Sequence, residues 1–139
     1  MLILITLLFI GNLIMSTFIS KDIWSDFTAD PEFPGFSFRD TDESNANCVT
    51  ALLERWAAGT IEDPHHHPHD DMSIIVTGEI AIQFHLRVDG ELVNDGEPMI
   101  LTAGQTGYIK ANRIHSVVYT TDCDMVYIQN KTFGFEIDK

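Results

Sequence analysis

The chain has 139 residues, 45% of them apolar and 10% aromatic, which fits one globular domain with a real core and excludes a disordered polymer. Its formal charge is −13 and its eight Lys and Arg residues are scattered singly, so there is no basic patch to neutralise the phosphates of a nucleic acid. Two cysteines, Cys48 and Cys123, lie far apart with no CxxC pair, which excludes a thiolate zinc knuckle and favours two buried free thiols over a disulfide.

Residues 1–20, MLILITLLFIGNLIMSTFIS, carry no charge. Three readings stay open. The segment is a secretory signal or membrane anchor, although no positive region precedes its apolar run. Alternatively Met15 is the true start and the preceding residues are leader. Or the segment is an apolar arm that docks on a partner subunit. The first reading implies a secreted, periplasmic or membrane-anchored protein, and the second a cytoplasmic one.

Residues 21–48 are rich in Pro, Gly, Asp and Asn and read as an irregular arm, with a short strand expected near Phe36–Phe38. From residue 49 the character changes, and residues 49–139 form the expected folded domain. VTALLERW is an apolar strand that Gly59 brings to a stop. MSIIVT at 72–77 is a short buried run ending at Gly78. In EIAIQFHLRV, Ile80, Ile82, Phe84 and Leu86 alternate with more polar residues, which marks a half-buried strand. Asp89-Gly90 then predicts a two-residue hairpin, because both central positions of that turn require positive φ. A turn at NDGEP, then MILTA, GYIKA, HSVVYTT and DMVYIQNKTF complete a series of short strands separated by Gly, Asp or Asn. Nothing after Glu79 has a helical period. The expectation is an all-β sandwich or small barrel.

Residues 65–71 read HHHPHDD, holding four of the six histidines and two aspartates. In an extended strand, residues two apart point to one side, so His65 and His67 share a face and His66 turns away. Two or three neutral imidazoles with one carboxylate suit Zn, Fe, Ni or Cu, and two His with a carboxylate and open positions is a non-haem iron arrangement. A local cluster rarely closes a coordination sphere alone. His85 and His115 are the other histidines available. His85 lies mid-strand and reads as structural or solvent-facing, and His115 opens HSVVYTT just after a turn.

These residues resemble the cupin superfamily, with its two motifs G-x5-HxH-x3-4-E-x6-G and G-x5-PxG-x2-H-x3-N. Gly59 is followed after five residues by His65-x-His67, then Asp71 in place of Glu, then Gly78. Gly104 is followed after five residues by Lys110-Ala111-Asn112 in place of PxG, then His115, then Tyr119 in place of Asn. The resemblance spans roughly residues 49–130. Asn at 112 is a mild change, since Asn tolerates the left-handed region. Asp at 71 is shorter than Glu by one methylene, so it reaches the metal less directly.

The resemblance implies a double-stranded β-helix, the cupin jelly roll. It implies that His65, His67, Asp71 and His115 converge in the barrel mouth around one divalent metal ion, Fe, Mn, Ni or Zn. It implies dioxygenase, isomerase or lyase chemistry on a small polar metabolite, and a homodimer. His69 and Tyr108 are the residues expected to move protons, with Gln83, Tyr119, Tyr127 and Gln129 as further polar residues that could face the cavity. The other reading is a non-catalytic ligand-binding or sensing cupin, because this fold hosts many unrelated functions.

Overall fold

A computed structural model describes residue 24, residues 27–40 and residues 49–139. The apolar segment 1–20 and Cys48, on which the readings of localisation and of a disulfide depend, lie outside the described residues.

Twelve strands account for the regular structure of the described residues. They are β1 (Thr28–Ala29), β2 (Phe36–Asp40), β3 (Thr50–Trp56), β4 (Ile61–His66), β5 (Asp71–Thr77), β6 (Glu79–Val88), β7 (Glu91–Asn94), β8 (Met99–Thr102), β9 (Thr106–Ile109), β10 (His115–Tyr119), β11 (Cys123–Gln129) and β12 (Glu136–Ile137). No helix is present among the described residues, and so none is long and apolar enough to cross a membrane.

The strands form two antiparallel sheets. One runs β1-β2-β3-β11-β5-β9; the other runs β12-β4-β10-β6-β7, with β8 also paired to β6. Consecutive strands often lie in opposite sheets. β4 ends one pass of HHHPHDD in the second sheet, and β5 begins in the first. The loop between them carries the chain across the sandwich at the histidine cluster. This is the all-β arrangement the strand spacing predicts, in the jelly-roll form the cupin resemblance implies.

The inward faces follow the period of two. Cys123, Met125, Tyr127 and Gln129 of β11 are buried and alternate with less buried residues. Ile80 and Ile82 of β6, Val117 and Tyr119 of β10, and Leu52 and Trp56 of β3 meet them in one core. Across that core Trp56 is stacked between Phe36 and Tyr119, at centroid distances of 4.2 and 4.1 Å.

Segment 21–48 contributes more than an irregular arm. β2 pairs with β3 along its length, from Phe36 opposite Trp56 to Asp40 opposite Leu52. Phe36 and Phe38 thereby reach the barrel interior, since both line its cavity.

The turns behave as their residues demand. Val88 pairs with Glu91 across Asp89-Gly90, and both turn residues have positive φ, 50° and 90°. Gly78 is needed for a second reason. A Cβ there would lie 2.1 Å from the Asp122 carbonyl oxygen, so the β5–β6 turn packs directly against the backbone before β11.

Candidate metal centre

His65, at the end of β4, His67, one residue beyond it, and His115, first residue of β10, are all buried. His65 and His115 are directly opposite in the β4–β10 ladder. His67 enters from the loop. One ring nitrogen from each of the three lies within 4.8 Å of the others.

Their hydrogen bonds set their tautomers. Nδ1 of His65 donates to the Asp63 carbonyl at 2.8 Å, Nδ1 of His115 to the Arg113 carbonyl at 2.8 Å, and Nδ1 of His67 to the Gly134 carbonyl at 2.7 Å. A carbonyl oxygen can only accept, so Nδ1 carries the proton in each ring and Nε2 carries a lone pair. Burial, with the neighbouring His115 as second cause, pushes the His65 pKa down to about 3. Burial likewise takes His115 to about 4 and lowers His67. All three rings are therefore neutral bases at pH 7, the form that binds a metal.

The support for His67 comes from the carboxy-terminal part of the chain. Gln129 is fully buried, accepts from the Gly134 N–H at 2.6 Å and donates to the Gly134 carbonyl at 3.1 Å. That clamp fixes the carbonyl that orients His67. It also sets Phe133 and Phe135 against the histidines, with Phe135 stacked 4.4 Å from the His65 ring.

Asp71 opens β5 and lines the same cavity as the three histidines. It lies outside their 4.8 Å cluster. Its Oδ2 is buried with no hydrogen-bond partner among the described residues, and burial raises its pKa to about 7, with the Asp70 and Glu62 charges adding to the shift. A buried carboxylate oxygen left open beside three Nε2 lone pairs is what a divalent cation would satisfy, so the residues present fit a metal.

The other members of HHHPHDD have different surroundings. His66 turns away and meets Asp138 at 2.6 Å. Asp70 faces outward, where its carboxylate accepts from the Tyr108 hydroxyl at 2.5 Å and the Ala111 N–H at 2.8 Å. That contact holds the 110–112 turn, in which Asn112 takes φ 61° and donates its N–H to the His67 carbonyl. Neither His69 nor Tyr108 lines the cavity, and Tyr108 is more than half exposed. His85 is buried against Ser116, with Nε2 2.9 Å from its hydroxyl, in a structural position. Tyr119 and Tyr127 line the cavity, and Gln83 does not.

The cavity has a volume of about 500 Å³ and holds two acidic residues that strand parity alone does not assign to it, Glu54 and Glu62. Glu54 lies between Leu52 and Trp56 on the inward face of β3 and accepts from the Trp56 indole N–H at 3.0 Å. Burial raises its pKa to about 8, against the lowering effect of that hydrogen bond. Glu62 accepts from the Tyr119 hydroxyl at 2.8 Å, and burial raises it to about 7. Glu62 and His65 are three apart, so strict alternation would put them on opposite faces. A bulge in β4 removes the conflict: His115 pairs with His65 but Val117 pairs with Glu62, two residues on β10 against three on β4.

The geometry has clear counterparts among solved structures. The structure of KdgF from Halomonas sp. superposes with a TM-score of 0.58 at 18% identity, over 76% of this chain and 88% of that one. The fold is that of the cupins. A cupin superfamily protein from Desulfitobacterium hafniense matches with a TM-score of 0.57 at 18% identity, over 79% and 84% of the two chains. Oxalate decarboxylase from Bacillus subtilis matches with a TM-score of 0.61 at 16% identity, over 78% of this chain and 29% of the longer enzyme. No family model and no curated protein matches the chain. At these identities the likeness is one of cupin fold.

Proposed function

We propose that this cupin is a mononuclear metal-dependent enzyme acting on a small molecule held in the barrel. The observation that carries the reading is the triple pattern of Nδ1–H donated to backbone carbonyls, which turns three buried neutral Nε2 atoms toward one region. Oxalate oxidase and oxalate decarboxylase, both enzymes, share the fold and support the catalytic side of the reading. His65, His67 and His115 would hold the ion and Asp71 would complete or tune its sphere, directly or through water. Bound there, a divalent ion supplies Lewis acidity to a substrate oxygen, or an O₂ site if it is Fe(II).

The chain's own residues then supply binding and proton transfer. Glu54 and Glu62 line the cavity with pKa values raised toward neutrality, the range in which a carboxyl can both give and take a proton at pH 7. They suit that role better than His69 and Tyr108, which do not line the cavity. Dioxygenation, isomerisation and lyase chemistry are all within reach of this set.

Elemental analysis of protein purified without an affinity tag or nickel column tests the reading. The expected result is close to one Fe, Mn, Ni or Zn per chain, lost in His65→Ala and His115→Ala variants that keep the β-sheet circular dichroism. Folded, metal-free protein at neutral pH that takes up none of these ions would defeat it.

The homodimer belongs to the same reading. Leu86, Val88 and Val93 are exposed apolar residues on the β6–β7 hairpin, a surface suited to pairing with a second copy. Light scattering should report twice the chain mass, and a monomer at micromolar concentration would remove this element.

A further inference from the structure

We propose that the ligand of this cavity is an organic cation, an amine with an apolar or aromatic body. The inference rests on the barrel being the ligand site, and it names the ligand's chemical class.

The charge inventory of the cavity is one-sided. Five carboxyl side chains line it: Asp30, Glu32, Glu54, Glu62 and Asp71. Among the described residues no Lys or Arg lines it. Arg113, the cation nearest His115 in sequence, is drawn away to Asp95 and over the Phe84 ring, 4.8 Å from its centroid. Arg55 lies outside as well, paired with Asp124 at 2.8 Å. An anionic ligand would meet no Lys or Arg in the metal-free barrel, whereas an ammonium would compensate carboxyls that release their protons as it binds.

Several polar groups of the lining are already committed to protein partners. The Trp56 indole and the Tyr119 hydroxyl are already committed to Glu54 and Glu62. The Thr50 hydroxyl is committed to the Lys131 carbonyl at 2.7 Å. Asp71 Oδ2 has no partner among the described residues. Beside the Ser73 and Tyr127 hydroxyls the cavity thus offers an unmatched buried carboxyl oxygen, and a primary ammonium brings three donors and a positive charge to it.

The remaining walls are aromatic. Phe33, Phe36 and Trp56 line one side with Tyr119, while Phe133 and Phe135 stand over the histidines. Ring faces carry negative electrostatic potential, and aromatic walls with nearby carboxylates are a known way to take an ammonium group out of water. The 500 Å³ volume admits a ligand with a single ring and a short chain.

The test is calorimetric binding to the full-length protein, metal-loaded and after chelation, with three ligands that share a phenyl body: 2-phenylethylammonium, 2-phenylethanol and 3-phenylpropanoate. The expected order is ammonium over alcohol by at least tenfold, with no detectable carboxylate binding to the chelated protein. Glu54→Gln and Glu62→Gln should each reduce the ammonium preference at least fivefold and leave alcohol affinity within twofold, which controls for an intact cavity. Alcohol or carboxylate binding as tight as ammonium overturns the proposal, as does binding of none of the three. An ammonium preference unchanged in both Gln variants overturns the assignment to these carboxyls. The metal content of the same samples separates the two readings. Metal present without ammonium preference defeats only this inference, and ammonium preference without metal defeats only the metal centre.

Discussion

Replacing Glu54 by Gln should move the stability of the metal-free protein in the variant's favour as pH rises. Glu54 is buried with 6% of its surface exposed, and desolvation raises its pKa from 4.5 to about 8. Because the folded value is the higher one, the folded state holds a proton between pH 4.5 and 8 that the unfolded chain has released. Stability therefore falls as pH rises through that window. Each pH unit corresponds to about 1.4 kcal/mol. At pH 7, 2.5 units above the unfolded value, the deficit is about 3 kcal/mol, and at pH 5 it is below about 1 kcal/mol. Gln has nearly the same shape, keeps a carbonyl oxygen for the Trp56 N–H and never ionises. It also adds an amide N–H₂ that needs a partner, a pH-independent offset of about 1–3 kcal/mol. The slope is thus the informative quantity. Urea unfolding of both proteins after chelation, at pH 5, 6, 7 and 8, should show the stability difference moving in favour of Glu54→Gln by about 2 to 3 kcal/mol between pH 5 and 7. The other titrating groups are common to both proteins and cancel to first order. A difference that stays flat within 0.5 kcal/mol, roughly the scatter of such comparisons, would refute the claim that a buried carboxyl at position 54 holds a proton at neutral pH.

Gly134→Ala should weaken metal binding without touching a ligand. A Cβ there would meet Pro68 Cγ at 2.4 Å, displacing the carbonyl that accepts from His67 Nδ1. Chelator competition should show a loss of about tenfold to a hundredfold, the range seen when partners of a metal-bound imidazole are removed; unchanged affinity would show that the Gly134 carbonyl does not orient the ring. At pH 6 His65 and His115 are already neutral and burial lowers His67, whereas Asp71, raised to about 7, holds its proton. Metal binding should then release close to one proton per ion, measured by calorimetry in buffers of different ionisation enthalpy, and Asp71→Asn should abolish the release. Release of two or more protons would mean that a second group of the cavity, Glu62, Glu54 or an imidazole, gives up its proton to the ion as well.

Much of the architecture follows from local chemistry and was legible in the linear chain. Alternation in EIAIQFHLRV, the Asp89-Gly90 turn and the regular spacing of Gly and Asn specify short antiparallel strands, because the two-residue period and positive-φ turns are properties of a few neighbouring residues. The same local parity separates His65 and His67 from His66, and motif spacing brings in His115. Asn112 adopts the left-handed φ that its place in the second motif requires.

What the chain order could not decide depends on contacts between distant segments. Glu62 faces the cavity only because β4 carries one more residue than β10 between paired positions, and a bulge has no dependable local signature. Glu54 does show a hint, a charged residue in phase with Leu52 and Trp56, but only the facing sheet makes that phase the inward one. Asp70 and Asp71 are adjacent and chemically identical. Their opposite surroundings, Tyr108 and Ala111 for one and the buried cavity for the other, are set by where β9 and the second sheet lie. The carbonyls that set the His67 ring and the phenyl groups above it come from residues 133–135, nearly seventy positions away. The three histidines that cluster were therefore readable from their spacing, whereas their protonation and orientation arise from burial and from contacts with distant segments, which only the packed barrel determines.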